Sequence, residues 1–184
     1  IDIVRKKREE TSVLVVVSAF SGVTNLLAEA AGKASGGQEE YQQSIRELET
    51  RHVEAIRELV RVQYQSETLT RFKMEFNNLE DILQGVSLVH EVTPKTMDFI
   101  MGFGERFSAI ILSAALNDAG IPAEYVDARE FIKTDDTHGQ AKVLMDLTYE
   151  KIRSRFSTVS AVQVITGFVS STCDNVSTTL GRGG

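Results

Sequence analysis

The stretch "SVLVVVSA", residues 12–19, constrains the fold most. It is β-branched, carries no charge and is too short for a typical helix, so it predicts a strand buried on both faces, as in a parallel sheet covered by helices. "FSGVTNLLAEAAGKA" follows at once, turning from small polar residues into a helix. Strand, loop and helix in that order make the first half of a βαβ unit. A second apolar run, "AVQVITGFV" (161–169), and "IPAEYVDA" (121–128) predict further strands, and "LMDLTYEKIRSRF" (144–156) predicts the helix between them. The implied class is α/β, with a mostly parallel sheet between helical layers. Ligands of such sheets bind beyond the carboxyl ends of the strands.

Between the first two strands lies a long helical stretch. "GG" at 36–37 breaks the chain, and Ile45, Leu48, His52, Ile56, Leu59 and Val60 then form an apolar stripe over 38–65. Leu69, Phe72, Phe76, Leu79, Ile82 and Leu83 do the same over 66–87. Both stripes have helical spacing on a charged background, which predicts a helical hairpin, at about 38–92, inserted outside the sheet. Thr93-Pro94 is a helix start, Gly102 and Gly104 interrupt, and Gly120 ends the apolar helix that begins at Glu105. "SSTCDNVSTTL" predicts a short hairpin turning at Asp174-Asn175. The first ten residues, with Ile1, Ile3 and Val4 ahead of a charged run, read as the tail of a helix begun upstream.

At 184 residues the chain can bury one sizeable core. A net charge of −6 argues against nucleic acid or an anionic membrane as partner. Cys173 is alone, which excludes an internal disulfide and favours a reducing compartment, the cytoplasm. No unbroken apolar run approaches the length that spans a bilayer. His52, His90 and His138 have no metal-ligand spacing, and no metal site is expected.

Three strand ends carry candidate chemistry. "SAFSGVTN" places Ser18, Ser21 and Thr24 around Gly22 before a helix; this suits a carboxylate or phosphate, or Ser21 or Thr24 simply caps the helix. Glu105 in "GFGERFSA" lies on the first turn of an apolar helix, where the dipole would keep it ionised and able to hold an ammonium group. "TTLGRGG" sets Arg182 among Gly181, Gly183 and Gly184, a loop fit for an anion. "KTDD" (133–136) reads as a charged, solvated loop, and Cys173 as a surface thiol.

In this order, "VVVSAFSGVTNLL", "FGERFSAIILSAALNDAGIPAEYVDAREFIKTDD" and "VITGFVSSTCDNVSTTLGRGG" resemble the aspartokinases of the amino acid kinase superfamily. "LQGVSLV" before "TPKTMDFI" is more similar to the kinase portion of bifunctional aspartokinase–homoserine dehydrogenases. The resemblance implies an αβα sandwich of which residues 1–184 form the N-terminal part. It also implies transfer of the ATP γ-phosphoryl group, with Mg2+, to the side-chain carboxylate of L-aspartate, in a homo-oligomer. On matching positions, Arg182 would clamp the α-carboxylate and Glu105 the α-ammonium. Thr24 and Ser18 would hydrogen-bond the substrate and Phe168 would line the pocket, while Gly181, Gly183 and Gly184 would face the nucleotide. The family's "KFGGTS" before Ile1 and "SD" after "GRGG" are missing, so these 184 residues alone are not expected to turn over ATP. The competing readings are a glutamate or acetylglutamate kinase and a non-catalytic α/β module.

Overall fold

The computed structural model describes residues 1–181. Its centre is a three-stranded, all-parallel sheet in the order β1–β3–β2, with β1 Leu14–Val17, β2 Ala123–Val126 and β3 Val162–Thr166. Seven α-helices accompany it: α1 Asp2–Arg8, α2 Val23–Ser35, α3 Tyr41–Leu59, α4 Val62–Val89, α5 Pro94–Met101, α6 Phe103–Asp118 and α7 Met145–Phe156. A single 3-10 turn spans Ala128–Glu130. The short strands β4 Val169–Ser171 and β5 Ser177–Thr179 pair antiparallel and turn through Asn175, whose φ of 60° fits the predicted hairpin.

The alternation of β3 divides the core. Val162 and Val164 pack with Ala109 and Leu116 of α6, whereas Ile165 packs with Phe131 and with Ile152 and Phe156 of α7. Two helical layers therefore sandwich the central strand, and all five of its residues are buried. β1 differs from expectation. Val15 and Val17 join the α6 face, but Leu14 and Val16 stay 48% and 67% exposed. Among the described residues β1 pairs only with β3, and none covers its second face.

α6 is apolar nearly all round because it serves two cores. Phe103, Phe107 and Ile111 face the helices; Ala109 and Leu116 face the sheet. Gly104 lets it approach the loop after β1, since a Cβ there would stand 2.6 Å from the Ala19 Cβ. Pro94–Asp118 is long and apolar enough to cross a bilayer, but it spans two helices and 78% of its most apolar window is buried within this fold. The Thr93 hydroxyl caps α5 by accepting from the Thr96 amide, and Gly120, at φ 76°, follows the end of α6.

The predicted helical pair is present, with its break at Val60–Arg61 rather than at residue 65. Arg61 fixes that corner through its backbone N–H and Nε to the Asp118 carboxylate, at 2.9 and 2.7 Å. α3 and α4 bury Leu48, Ile56, Phe72, Phe76 and Leu83 against α2, α5 and α6. His52 is wholly buried there, stacked on Phe20 at 4.9 Å and in edge contact with Phe107 at 5.1 Å. Burial lowers its pKa, so the ring is neutral, and Nδ1 bonds the Leu48 carbonyl at 2.6 Å.

The "KTDD" segment corrects the sequence reading. Lys133 and Thr134 are buried, at 3% and 1% exposure. The Lys133 ammonium donates to Arg129 O, Ser171 Oγ and Asn175 Oδ1 at 3.0, 2.7 and 2.9 Å, which satisfies its three N–H groups without a carboxylate. The Thr134 hydroxyl bonds that of Thr178. The segment therefore fastens the β4–β5 hairpin.

Candidate functional site

Parallel strands end together, and the ends of β1 and β3 open one cleft of about 560 Å³. Its walls are Val16, Val17 and Ser18 from the end of β1, Gly22, Thr24 and Asn25 from the start of α2, and Glu105 from α6. Gly167, Phe168 and Gly181 complete it. Ser18, Thr24, Glu105, Phe168 and Gly181, all singled out from the sequence, are thus brought together. Arg182, Gly183 and Gly184 lie outside the described residues, and so does the expected carboxylate clamp.

Glycine makes the junction of the two strands possible. A Cβ on Gly167 would meet the Val17 carbonyl oxygen at 2.9 Å, and the Gly167 amide donates to that oxygen at 2.8 Å. Phe168 then takes φ 62°, an uncommon conformation for an aromatic residue. Its carbonyl accepts from the Leu180 amide at 3.1 Å, tying the strand end to the residue before Gly181. Strain of this kind concentrates at ligand sites.

On the opposite wall, α2 starts at Val23 with Gly22 as N-cap in the left-handed conformation, φ 80°. No side chain among the described residues caps it. The sequence reading that gave Ser21 or Thr24 a capping role therefore fails, and Thr24, on the first turn, lines the cleft instead.

Glu105 is the unusual group. It is 2% exposed; Oε1 accepts from the Ala19 amide at 3.2 Å, while Oε2 is buried without a partner among the described residues. Burial pushes its pKa up to about 7, against the opposing pull of the Ala19 amide, its own amide and Ser18. The expectation that the helix dipole alone keeps Glu105 ionised is therefore corrected. Desolvation outweighs the dipole and shifts Glu105 toward its protonated form. A cation entering the cleft would restore the charge. Perturbed carboxylates in clefts mark functional sites.

Sequence reasoning missed Asp98. Buried on α5, it accepts from the Gly139 amide at 3.0–3.1 Å and the Thr179 hydroxyl at 2.6 Å, and it bonds His138 Nδ1 at 2.8 Å. These bonds hold β5 two residues before Gly181. The available signal was a lone carboxylate in the apolar run "MDFIM". Among the described residues no group of three or more His, Cys, Asp or Glu could hold a metal ion.

A small-residue cleft at the ends of parallel strands, with a buried carboxylate on one wall, gives this α/β protein a candidate site for a small polar ligand. The amino acid kinase family matches residues 1–184, and the chain belongs to that family. The chain is 31% identical, over its whole length, to bifunctional aspartokinase/homoserine dehydrogenase 1 of Zea mays, of which it covers 20%. To aspartokinase 1 of Arabidopsis thaliana it is 33% identical over 95% of its length, covering 31% of that protein. Among solved structures, E. coli aspartokinase III in complex with lysine and aspartate superposes with a TM-score of 0.82 at 25% identity, over 93% of this chain and 37% of that one. The chain thus spans between a fifth and a third of the curated relatives named here.

Proposed function

We propose that the full-length protein is an aspartate kinase, forming 4-phospho-L-aspartate and ADP from L-aspartate and ATP. The observation that carries this reading is Glu105, a buried carboxylate with one unpartnered oxygen beside Ser18 and Thr24. A free amino acid brings an ammonium group that such an oxygen would accept, and the names of the relatives point to aspartate. The side-chain carboxylate would attack the γ-phosphorus as the bond to ADP breaks. That nucleophile is ionised at neutral pH, so catalysis rests on positioning and on neutralising charge.

In this reading Glu105 holds the ammonium group, Ser18 and Thr24 hydrogen-bond the substrate, Phe168 closes one wall, and Arg182 takes the α-carboxylate. Gly181, at φ 80° on the cleft wall, fits the approach of an anion, and Gly183 and Gly184 are assigned with it to the nucleotide. ATP supplies the phosphoryl group. Mg2+ would accompany the nucleotide, and the described residues offer no cluster of three or more His, Cys, Asp or Glu for it. Residues 1–184 would be the N-terminal part of the kinase domain, with the helical pair at about 38–92 as an insertion. Fusion to a homoserine dehydrogenase and a homo-oligomeric state belong to the same proposal. The plant relatives are chloroplastic by name, so the proposed location is a reducing compartment, the cytoplasm or a plastid.

The test is acyl-phosphate formation by the full-length protein with ATP, trapped with hydroxylamine. Product is expected with L-aspartate and at least about 100-fold less with L-glutamate or N-acetyl-L-glutamate, because a misplaced carboxylate loses the alignment on which the rate depends. Preference for either of the latter would contradict the reading.

A further inference from the structure

The loop between β1 and α2 carries two cleft residues at its ends, Ser18 and Thr24, yet its own means of fixing itself are few. Its helix has no side-chain N-cap and Gly22 is in the left-handed region. The contacts that hold it come from elsewhere in the chain, residue by residue. Ala19 packs on Gly104 and donates its amide to Glu105, both from α6. Phe20 lies parallel to the His52 ring, 4.9 Å away with 5° between the planes. His52 itself is wedged against Phe72 of α4 and Phe107 of α6. The Ser21 carbonyl accepts from Arg51 Nη2 at 2.9 Å, and the other terminal nitrogen, Nη1, stands 3.9 Å from where a Gly22 Cβ would be.

Arg51 and His52 are neighbours on α3, in the helical region that lies outside the sheet. We propose that Arg51 is a positioning residue for the substrate cleft, holding the Ser21 carbonyl so that Ser18 and Thr24 keep the spacing the amino-acid substrate needs. Arg51 does not line the cleft, so it acts through the loop. Its neighbour His52 locks the preceding residue by stacking, and the two hold consecutive loop residues at fixed height over α3. Among the described residues Arg51 has no ion pair with a carboxylate, and its hydrogen bond goes to the backbone of this loop. A guanidinium is suited to this, because its planar fork keeps a fixed direction toward a carbonyl. The substrate part of this inference rests on the proposed aspartate kinase reading; the loop part does not.

Two measurements on the full-length protein separate these parts. In Arg51→Ala, hydrogen exchange of the amides of residues 21–24 without ligand should accelerate about tenfold, as expected when a local contact is lost while the rest of the fold stays closed. In steady-state kinetics the KM for L-aspartate should rise about tenfold while the KM for ATP stays within about twofold, since displacement of a substrate-positioning group by a fraction of an ångström has effects of this size. Arg51→Lys, which keeps a donor, should recover part of both effects; should Arg51→Ala fold poorly, the same comparison is made with Arg51→Lys and Arg51→Gln. Unchanged exchange in 21–24 would overturn the positioning role whatever the substrate is. Faster exchange with an unchanged KM for aspartate would overturn its link to the cleft. A wild-type protein that does not phosphorylate aspartate would count against the functional reading, while the exchange result would still decide the role of Arg51.

Discussion

Glutamine in place of Glu105 is expected to weaken L-aspartate binding by at least about 100-fold and to remove a pH dependence from the stability of the ligand-free protein. The two effects share a cause. Glu105 has its pKa raised from 4.5 to about 7 by burial, so folding costs more once the carboxyl group must be charged. Below pH 4.5 both the folded and unfolded states hold the proton, and there is no penalty. Between 4.5 and about 7 the unfolded chain has lost the proton and the folded chain keeps it, so stability falls as pH rises. Above about 7 the penalty is constant, on the order of 3 kcal/mol. Glutamine cannot ionise, and urea unfolding of that variant should lack this decline. The same variant offers no charge to an ammonium group, and losing a buried charge pair at a ligand is worth roughly 3 kcal/mol or more. Retained aspartate affinity in Glu105→Gln, or a wild-type decline that persists in it, would contradict this account.

Asp98→Ala is expected to cost about 3–5 kcal/mol of stability, the range for a buried polar network broken from one side. The carboxylate serves the Gly139 amide, the Thr179 hydroxyl and His138 Nδ1 together. Alanine would leave these groups without their acceptor. Asp98→Asn keeps one oxygen and should lose less than half as much. Because Thr179 precedes Gly181 by two residues, the Ala variant should also weaken aspartate binding under conditions where it remains folded. Denaturant titration with circular dichroism measures the first effect and calorimetry the second. A loss below about 1 kcal/mol would show that the network is dispensable.

The parts of the fold that were legible in the sequence are those with local chemical punctuation. Thr93-Pro94 starts α5 through the threonine hydroxyl cap, whereas Gly120 after α6 and Asn175 in the hairpin take positive φ, which few other residues favour. The cleft was legible in part for a topological reason, since ligands bind beyond the ends of parallel strands, which pointed to Ser18 and Thr24 after β1, whereas Phe168 came from the resemblance to aspartokinases. What failed depended on neighbours distant in sequence. The composition of β1 says apolar, but not that Leu14 and Val16 lack cover on their face. "KTDD" has a solvated composition, yet Lys133 is buried because the β4–β5 hairpin supplies three oxygen acceptors. The position of Glu105 on the first turn of its helix was read correctly, but the burial that raises its pKa was not, since the dipole is local and burial depends on residues distant in sequence. His52 was correctly placed in an apolar stripe, but its role as a platform for Phe20 is visible only in three dimensions.

The role proposed for the Glu105 carboxylate is to receive the ammonium group of a free amino acid. Isothermal titration calorimetry of the full-length protein with L-aspartate at pH 6.5, in two buffers of different ionisation enthalpy, tests it most directly, with N-acetyl-L-aspartate as comparison. L-aspartate is expected to bind with release of a fraction of a proton, because the ammonium draws Glu105 from protonated to charged. The acetylated compound, which has no cation, is expected to bind at least about 100-fold more weakly. Equal affinity for the two compounds, with no proton released by either, would contradict it.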